Sequence, residues 1–305
     1  MKRRIVLGAL GALVLIGGIS GCGTLGYYGQ SIGGHFSLLN SARPVPDWIA
    51  DPATPELDLT LKTWCFPVVG CVGYRGYFDR AAADAEAAEL RAQGLEVGVY
   101  PVPAYSTLGR IPGAYFSDPL LNTFIRYAEG DLARLIFHEL AHQVAYAPGD
   151  TVFNESFATA VERIGVQRWL AVHGSPAVRE EYQRLEARRE DFRELTLRTR
   201  VTLDGIFRSS RTDDEKRVAK AEAMAAMRAE YEALKAGPWG GFKGYDPWFE
   251  RANNAALGVI GAYFELVPRF EALFQAQGGD FDRFYAEVRR LAALPQAERR
   301  ATLGP

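Results

Sequence analysis

The chain has 305 residues, of which 48% are hydrophobic and 24% are charged, and its formal net charge at pH 7 is −2. This length and composition allow a full hydrophobic core in one or two domains. The nearly neutral charge creates no field that attracts nucleic acid, so we exclude a nucleic-acid partner.

Residues 1–21 have the organisation of a lipoprotein signal peptide. The basic segment Lys2–Arg4 precedes the apolar run Ile5–Ile19, which is short for a membrane-spanning helix. The segment Ile19–Cys22 resembles a bacterial lipobox, in which a small residue precedes the cysteine that receives the lipid. We therefore predict a mature chain that begins at Cys22 and is held at a membrane by acyl chains. The alternative is an uncleaved anchor that ends in an ordinary cysteine.

The residue after the predicted lipid anchor indicates the compartment. In the lipoprotein class that the lipobox resembles, Asp at this position favours the inner membrane, whereas Gly23 is compatible with the outer membrane. We predict a protein of the bacterial cell envelope, anchored by lipid to the outer membrane and facing the periplasm.

Cysteine usage agrees with this compartment. Of the 3 cysteines, Cys22 is assigned to the lipid, which leaves Cys65 and Cys71 as an even pair in an oxidising environment. The short segment between them can form a tight loop, so we predict a disulfide bond. Two free buried thiols are the alternative.

Three elements are predicted before the central motif. Tyr27–Asn40 is predicted to be a helix, and Asp79–Gln93 is an alanine-rich helix that Gly94 ends. Leu95–Tyr105 has strand character, with valines at positions 97, 99 and 102.

The segment Phe137–Gln143 contains the pattern His-Glu-x-x-His. On a helix, residues four positions apart share a face, so His138 and His142 can direct two imidazoles at one point. Two neutral imidazoles suit zinc (Zn2+), which prefers a tetrahedral set of nitrogen, oxygen or sulfur ligands. Glu139 lies about 100° around the helix, where it can contact a metal-bound water. The pattern predicts a zinc site with Glu139 as general base.

The predicted helix around this motif, Asp131–Ala147, is apolar almost all round, which predicts a buried helix. Buried histidines and a buried glutamate need partners, and a metal ion supplies them. The alternative is two core histidines that bond backbone carbonyls. The chain has only 4 histidines, which argues against a chance pairing around a glutamate.

A catalytic zinc ion usually has three protein ligands, and a second predicted helix offers the third. Pro148–Asp150 predicts a turn, after which Asn154 would cap the helix and Glu155 would lie in its first turn. A short turn makes the two helices neighbours, so Glu155 can complete a glutamate-type zincin ligand set. Alternatively, Glu155 only stabilises the helix dipole. Glu162, two turns further on, is a candidate to bind or orient a histidine.

A strand beside the motif helix commonly receives the substrate backbone in zincins. Ala104–Leu108 is our candidate for that strand, and a plain structural edge strand is the alternative. Tyr105 is a candidate to reach a transition-state oxygen, although a buried tyrosine hydroxyl often bonds a carbonyl instead.

The chain after Ser175 is charged and helical. Two apolar stripes, interrupted at Gly205–Asp214, predict an antiparallel helical hairpin packed on the catalytic unit. Gly237–Phe249 is predicted to be a loop that either lines a cleft or packs on the surface. Asn254–Leu273 is predicted to be one apolar helix, which the pair Asn253–Asn254 caps; substrate-backbone binding by that pair is the alternative.

Several separate segments resemble a family of bacterial proteins described as predicted aminopeptidases. They are Trp64–Phe78, Ala104–Gly109, Phe137–Gln143, Phe153–Thr159 and Asn253–Ala255. The resemblance extends over most of the predicted mature chain. It implies a zinc-dependent peptidase that acts on peptide substrates.

The same resemblance implies roles for individual residues. His138, His142 and Glu155 would be the zinc ligands, and Glu139 would be the catalytic glutamate. An aminopeptidase must also bind the α-ammonium group of its substrate, and Asp118 and Glu162 are the candidate carboxylates.

We therefore predict an α+β, zincin-like metallopeptidase that is largely helical, with a small sheet beside the zinc-motif helix and a C-terminal helical hairpin. The predicted regions are a signal peptide (1–21), a catalytic region (22–170) and a helical C-terminal region packed on it (171–305). The predicted activity is zinc-dependent peptide hydrolysis from a free N-terminus. The alternatives are a zinc endopeptidase and a non-catalytic lipoprotein scaffold with a structural zinc ion.

Overall fold

A computed structural model describes residues 48–66, 70–102 and 123–304 of the chain, and most of these residues are helical. The predictions for Cys22, Tyr27–Asn40, Ala104–Leu108, Tyr105 and Asp118 lie outside the described residues and stay predictions. Among the described helices, none is both long and apolar enough to cross a membrane.

Seven short strands form three antiparallel sheets in the described part of the chain. The sheets have the orders β5–β1–β7, β2–β6 and β3–β4. The strand bounds are β1 (Trp48–Asp51), β2 (Ala53–Pro55), β3 (Trp64–Phe66), β4 (Gly70–Val72), β5 (Arg75–Tyr77), β6 (Leu95–Val97) and β7 (Tyr100–Val102).

The strand predicted at Leu95–Tyr105 is divided in two, β6 and β7. Pro52 divides the partner segment into β1 and β2, since proline cannot donate to a ladder. The amide of Gly98 donates to the carbonyl of Pro52 at 3.0 Å, which joins the two interruptions. Each segment therefore leaves one sheet and enters another at the same point, and the predicted strand character is confirmed at 95–97 and 100–102.

Ten helices account for the rest of the regular structure among the described residues. They are α1 (Arg80–Ala92), α2 (Glu129–Val144), α3 (Thr151–His173), α4 (Pro176–Arg208), α5 (Asp213–Ala236), α6 (Asp246–Arg251), α7 (Asn254–Phe264), α8 (Val267–Ala276), α9 (Phe281–Ala292) and α10 (Gln296–Leu303). The predicted helix at 79–93 is α1, whose N-cap is Asp79.

The motif helix α2 is buried along one face only, so the prediction of a helix buried all round was wrong. Its buried residues include Ala133 and Ala141, whereas Leu140 is 49% exposed. The buried face is the one that packs against α3. The helix also ends at Val144, because Ala145 has an extended backbone.

Helix α3 begins earlier than predicted, and Asp150 rather than Asn154 is its N-cap. The Asp150 carboxylate accepts a hydrogen bond from the amide of Phe153 at 3.1 Å. The Asn154 side chain instead closes the interhelical turn, because it accepts from the Ala147 amide and donates to the Ala147 carbonyl. Glu155 consequently lies in the second turn of α3, beyond the position that best stabilises a helix dipole.

Helices α3, α8, α9 and α10 share one apolar core with the end of α2. Its central aromatic residues are Phe153, Phe157, Phe270 and Phe284, all of which are fully buried. Residues on both sides of position 170 contribute to this core. The division into catalytic and C-terminal regions stays a prediction.

Helices α4 and α5 form the predicted hairpin, joined by only four residues, Ser209–Thr212. A capping box between Thr212 and Glu215 begins α5. The hairpin is internal rather than C-terminal, since α6–α10 follow it. In the loop after α5, Trp239 is buried against Tyr231, so this part of the predicted loop packs in the core.

The helix predicted at Asn254–Leu273 is two helices, α7 and α8, so the single-helix prediction was wrong. Pro268 lies in the first turn of α8, and in a helix interior it would remove a hydrogen bond and clash with the preceding turn. Asn253 is the N-cap of α7, as predicted. The side-chain amide of Asn254 donates to the carbonyls of residues 55, 56 and 58. This side chain therefore binds the backbone of its own chain.

Candidate metal centre

Three side chains from α2 and α3 converge at one buried point. They are His138, His142 and Glu155, whose candidate ligand atoms all lie within 4.8 Å of one another. Each of the three residues is less than one-tenth exposed. The donor set of two imidazoles and one carboxylate matches the chemistry of a catalytic zinc site.

The two histidines lie four residues apart on α2, and their ring centroids are 5.0 Å apart. Both Nε2 atoms face the same carboxylate oxygen. Glu155 Oε2 lies 3.3 Å from Nε2 of His138 and 3.7 Å from Nε2 of His142. Asn154 closes the tight turn between α2 and α3, and Asp150 caps the start of α3. These contacts fix how α3 lies against α2 and so bring Glu155 to this position.

The second nitrogen of His138 is held by an acidic partner. Nδ1 lies 3.0 Å from Glu162 Oε2, and Glu162 Oε1 accepts hydrogen bonds from Nε and Nη2 of Arg134. With Nδ1–H donated to Glu162, the Nε2 lone pair of His138 faces the cluster. Arg134 precedes His138 by one helical turn, so both residues lie on the same face of α2 and reach Glu162 on α3.

The two ring nitrogens of His142 have different surroundings. Its Nδ1 is buried without a hydrogen bond among the described residues. Its Nε2, at 3.7 Å from Glu155, is beyond hydrogen-bond distance. A buried imidazole without a hydrogen bond is costly, and a cation held at Nε2 would offset part of that cost.

Electrostatics at the cluster favour a positive charge. Burial lowers the pKa of His138, but its hydrogen bonds to Glu155 and Glu162 raise it to about 10. Burial raises the pKa of Glu155, and the two histidines lower it well below its usual range. A field that retains a proton on a buried imidazole also attracts a metal cation, which competes with protons for the same atoms.

Glu139, the predicted general base, is half-buried and directly follows His138 on α2. It lies off the face that carries the two imidazoles. Burial raises the pKa of Tyr74 and of Tyr263, and the charges of Glu155 and Glu139 are among the smaller influences that raise it further. The catalytic role of Glu139 stays a prediction.

Three tyrosines near the cluster escaped the sequence analysis as site residues. Burial, and then the charge of Glu155, raises the pKa of Tyr74, Tyr100 and Tyr263 above the usual tyrosine value. The ring of Tyr263 stacks on His138, with centroids 6.1 Å apart and an interplanar angle of 18°. Tyr74 lies in the loop before β5, Tyr100 on β7 and Tyr263 on α7, so no spacing in the sequence could have grouped them.

The three-stranded sheet explains how Tyr100 reaches this region. Tyr77 and Tyr100 pair with the consecutive β1 residues Ile49 and Ala50, so they occupy opposite faces of the sheet. Tyr77 packs on Ala83 of α1. The face that carries Tyr100 is therefore directed away from α1.

Glu162 was a candidate both to orient a histidine and to bind the substrate ammonium group. Both of its carboxylate oxygens are engaged, one by His138 and one by Arg134. This arrangement agrees with the prediction that Glu162 orients a histidine. It disfavours Glu162 as the carboxylate that binds a substrate ammonium group.

The disulfide bond between Cys65 and Cys71 is present and joins directly opposed residues of β3 and β4. The hairpin packs on the turn between the two ligand helices. A Cβ atom at Gly70, which has φ of +76°, would lie only 2.5 Å from the amide nitrogen of Gly149. The backbones approach so closely there that only glycine fits.

Comparisons with known proteins give one assignment. No curated protein and no solved structure matched the chain. A model of the family described as "Putative aminopeptidase" matches residues 52–303, a range that includes every member of the candidate metal centre, and the chain therefore belongs to that family.

Proposed function

We propose that this protein is a zinc-dependent peptidase that removes residues from the free N-terminus of peptide substrates. The observation that carries the proposal is the buried cluster of His138, His142 and Glu155. Membership of an aminopeptidase family supports a peptide substrate independently of the geometry.

The residues present fit a catalytic zinc ion. Two imidazole nitrogens and one carboxylate are the protein ligands of one class of zinc peptidase sites, which keep a further position for water or substrate. The position of His142 Nε2 beside Glu155 and the Glu162 partner of His138 agree with metal ligation. When bound, zinc supplies a Lewis acid that polarises a carbonyl group and lowers the pKa of water toward about 7.

Glu139 is assigned the proton transfers. As the oxygen of a water molecule bonds to the scissile carbonyl carbon, the carbonyl π pair moves to its oxygen and the Glu139 carboxylate takes the proton. Glu139 then gives that proton to the amide nitrogen as the carbon–nitrogen bond breaks. The second proton of the water molecule also passes to this nitrogen, so the products are a carboxylate and an ammonium group, and Glu139 is again ionised. Glu162 and Arg134 hold the ring of His138 throughout.

Glu139→Gln tests this assignment. An amide cannot accept the proton, so we expect kcat to fall by about 10²–10⁴-fold while zinc content is unchanged. Glu129→Gln is the matched control, since Glu129 is an exposed residue of the same helix. Wild-type turnover of Glu139→Gln at equal zinc content would remove Glu139 from the mechanism. Zinc binding without any peptide hydrolysis by the wild type would instead favour a structural zinc ion in a scaffold protein.

The aminopeptidase specificity is tested with two peptides that differ only in N-terminal acetylation. We expect stepwise release of single residues from the unblocked peptide, and resistance of the acetylated peptide. Equal internal cleavage of both peptides would overturn the exopeptidase assignment and leave a zinc endopeptidase.

We also propose that the mature protein is anchored to the outer membrane by lipid on Cys22 and faces the periplasm. The lipobox-like segment ending at Cys22 supports this location, and the Cys65–Cys71 disulfide is compatible with an oxidising compartment. Mass spectrometry should find an acylated N-terminal Cys22, and Cys22→Ala should abolish the lipid modification. An unprocessed chain that begins at Met1 would contradict the proposal.

A further inference from the structure

The disulfide hairpin, formed by β3 and β4, is a small two-stranded element. In the described part of the chain these strands pair only with each other, and each has three residues. A two-stranded hairpin without a wider sheet is marginally stable in water. The bond between Cys65 and Cys71 joins the central pair of the three and so fixes the register of the strands. The disulfide hairpin therefore depends on its cystine for a fixed shape.

The two ends of the disulfide hairpin have different anchors. At one end, Trp64 pairs with Val72 and packs against the small core formed by α1, β2 and β6. At the other end, Phe66 pairs with Gly70, and Gly70 lies against the turn between α2 and α3 (residues 145–150). The cystine lies between the two ends. Opening it would therefore free the end that carries Gly70, while the end that carries Trp64 stays packed.

The contact between the disulfide hairpin and the α2–α3 turn is made by backbone atoms. A Cβ atom at Gly70 would lie 2.5 Å from the nitrogen of Gly149 and 3.0 Å from the carbonyl carbon of Pro148. From the other side, a Cβ atom at Gly149 would lie 3.9 Å from the nitrogen of Cys71. Closely packed backbones transmit displacements, so a movement of Gly70 reaches the turn directly.

The α2–α3 turn fixes the start of the helix that carries Glu155. Ala147 in this turn accepts a hydrogen bond from the amide of Asp150 at 3.1 Å and exchanges two hydrogen bonds with the side chain of Asn154. Asn154 directly precedes Glu155, whose Oε2 lies 3.3 Å from Nε2 of His138. Ligand distances in metal sites vary by only about 0.2 Å, so a small shift of the turn changes the ligand set.

The cystine is open to solvent on one side, because Cys65 is exposed and Cys71 is half-buried. Exposed disulfides are more easily reduced than buried ones. A thiolate of a dithiol can attack Sγ of Cys65, and the sulfur–sulfur bond breaks as its electron pair leaves with Sγ of Cys71. The second thiol of the dithiol then releases Cys65 and closes a disulfide within the dithiol. The cystine gains two electrons and two protons, which the dithiol loses.

We propose that the Cys65–Cys71 disulfide controls the metal affinity of the candidate metal centre. The oxidised disulfide hairpin holds the α2–α3 turn and with it Glu155, whereas reduction by a dithiol releases the turn and weakens metal binding. The two cysteines are positioning residues, because they act on the ligand through the turn. This inference rests on the zinc site of the proposed function.

Two variants test the disulfide and the backbone contact separately. The double-cysteine variant, Cys65→Ser with Cys71→Ser, removes the disulfide, and Gly70→Ala keeps it but places a Cβ atom against the turn. Gly94→Ala is the matched control for Gly70→Ala, since Gly94 also has a positive φ (+80°) but open space where a Cβ atom would lie. A further sample is the wild type reduced with dithiothreitol, alkylated at both thiols and desalted, so that neither the reductant nor a free thiol binds zinc.

The measurements are zinc affinity by competition with a fluorescent chelator, and the visible absorption of bound Co²⁺, which reports ligand geometry. Both are made on proteins that circular dichroism shows to be folded. We expect about 10–100-fold weaker zinc binding by the double-cysteine variant, by Gly70→Ala and by the reduced, alkylated wild type, the usual effect of losing an outer support of a metal ligand. Their Co²⁺ spectra should differ from that of the oxidised wild type. Gly94→Ala should match the wild type in both measurements.

Wild-type zinc affinity in the folded double-cysteine variant or in Gly70→Ala would overturn the proposal. An equal loss in Gly94→Ala would also overturn it, because that loss would come from backbone strain rather than from the contact. If the double-cysteine variant does not fold, Gly70→Ala decides the result, since its disulfide is intact. A wild type that binds no zinc would contradict the proposed function as well, whereas equal zinc affinities before and after reduction would contradict this inference alone.

Discussion

Arg134 forms an ion pair with Glu162 beside the candidate metal-ligand cluster. Its guanidinium bonds Glu162, which in turn holds Nδ1 of His138. The pKa of Glu162 is raised by burial but lowered overall, first by the charge of Arg134. Arg134 therefore keeps the orienting carboxylate ionised, and it is a positioning residue rather than a ligand.

We predict that Arg134→Met lowers zinc affinity by about 10–100-fold, the usual effect of losing an outer partner of a metal-ligating histidine. Competition with a fluorescent chelator measures this affinity. The control is Arg163→Met on α3, since Arg163 pairs with Glu271 instead. Equal zinc affinities of Arg134→Met and the wild type would show that Arg134 does not position His138.

Asp51 provides a pH-dependent contribution to stability. Its carboxylate is fully buried, and neither oxygen has a hydrogen-bond partner among the described residues. Burial, and then the charge of Glu86, raises the pKa of Asp51 to about 7. The folded state therefore binds this proton more tightly than the unfolded state, and the penalty for ionising Asp51 grows as pH rises from about 4 to about 7.

We predict that Asp51→Asn removes this penalty and stabilises the protein above pH 7 but not below pH 4. At about 1.4 kcal/mol per pKa unit, the upper limit of the gain is roughly 4 kcal/mol. Urea unfolding of both proteins at several pH values measures the difference. A difference in free energy that is independent of pH would contradict the assignment.

At the scale of elements, the C-terminal helix α10 secures the start of the ligand helix α3. Arg299 is buried, and its guanidinium bonds Asp150, the N-cap of α3, and the carbonyls of residues 291, 292 and 294. Arg300 also pairs with Asp150 but is more exposed. The cap that begins the Glu155-bearing helix therefore depends on residues about 150 positions later in the chain.

We predict that Arg299→Met destabilises the protein by roughly 3–5 kcal/mol, the usual effect of breaking a buried ion pair. Arg300→Met should cost less than about 1 kcal/mol, because its partly exposed charge is screened by solvent. Urea denaturation compares the two variants. Similar losses in both would show that Arg299 has no special role at this helix end.

The sequence was most informative where the signal was local. The spacing of His138 and His142 and the short turn after α2 were enough to predict a cluster with Glu155, because both depend on helical geometry over a few residues. The alanine-rich helix and the α4–α5 hairpin were predictable for the same reason. Pro268 was a local signal too, and its helix-breaking effect was overlooked.

The remainder depended on contacts between distant elements. Asp150 and Asn154 are both good capping residues, and contacts with residues 299 and 147 decide which of them begins α3. Tyr263 contacts His138 only because α7 packs on α3. The periodicity of a single sequence does not show which distant elements come into contact.

At the scale of the whole molecule, the candidate metal centre lies where the main structural layers meet. Helices α2 and α3 supply the candidate ligands, and α8, α9 and α10 bury the opposite side of α3. The three-stranded sheet carries Tyr100, whose pKa is raised by burial and then by the charge of Glu155. The disulfide hairpin packs on the turn between the ligand helices. The fold thus holds the cluster from several sides, as a preorganised catalytic site requires.

Titration of the metal-free protein with zinc, with peptide hydrolysis as the readout, tests the central claim most directly. We predict that hydrolysis of an unblocked peptide rises with added zinc and stops rising at about one ion per chain, because one cluster binds one ion. His142→Ala should show no such rise, since the cluster would lose one of its ligands. No hydrolysis by the wild type at saturating zinc, or an equal rise in His142→Ala, would contradict the account.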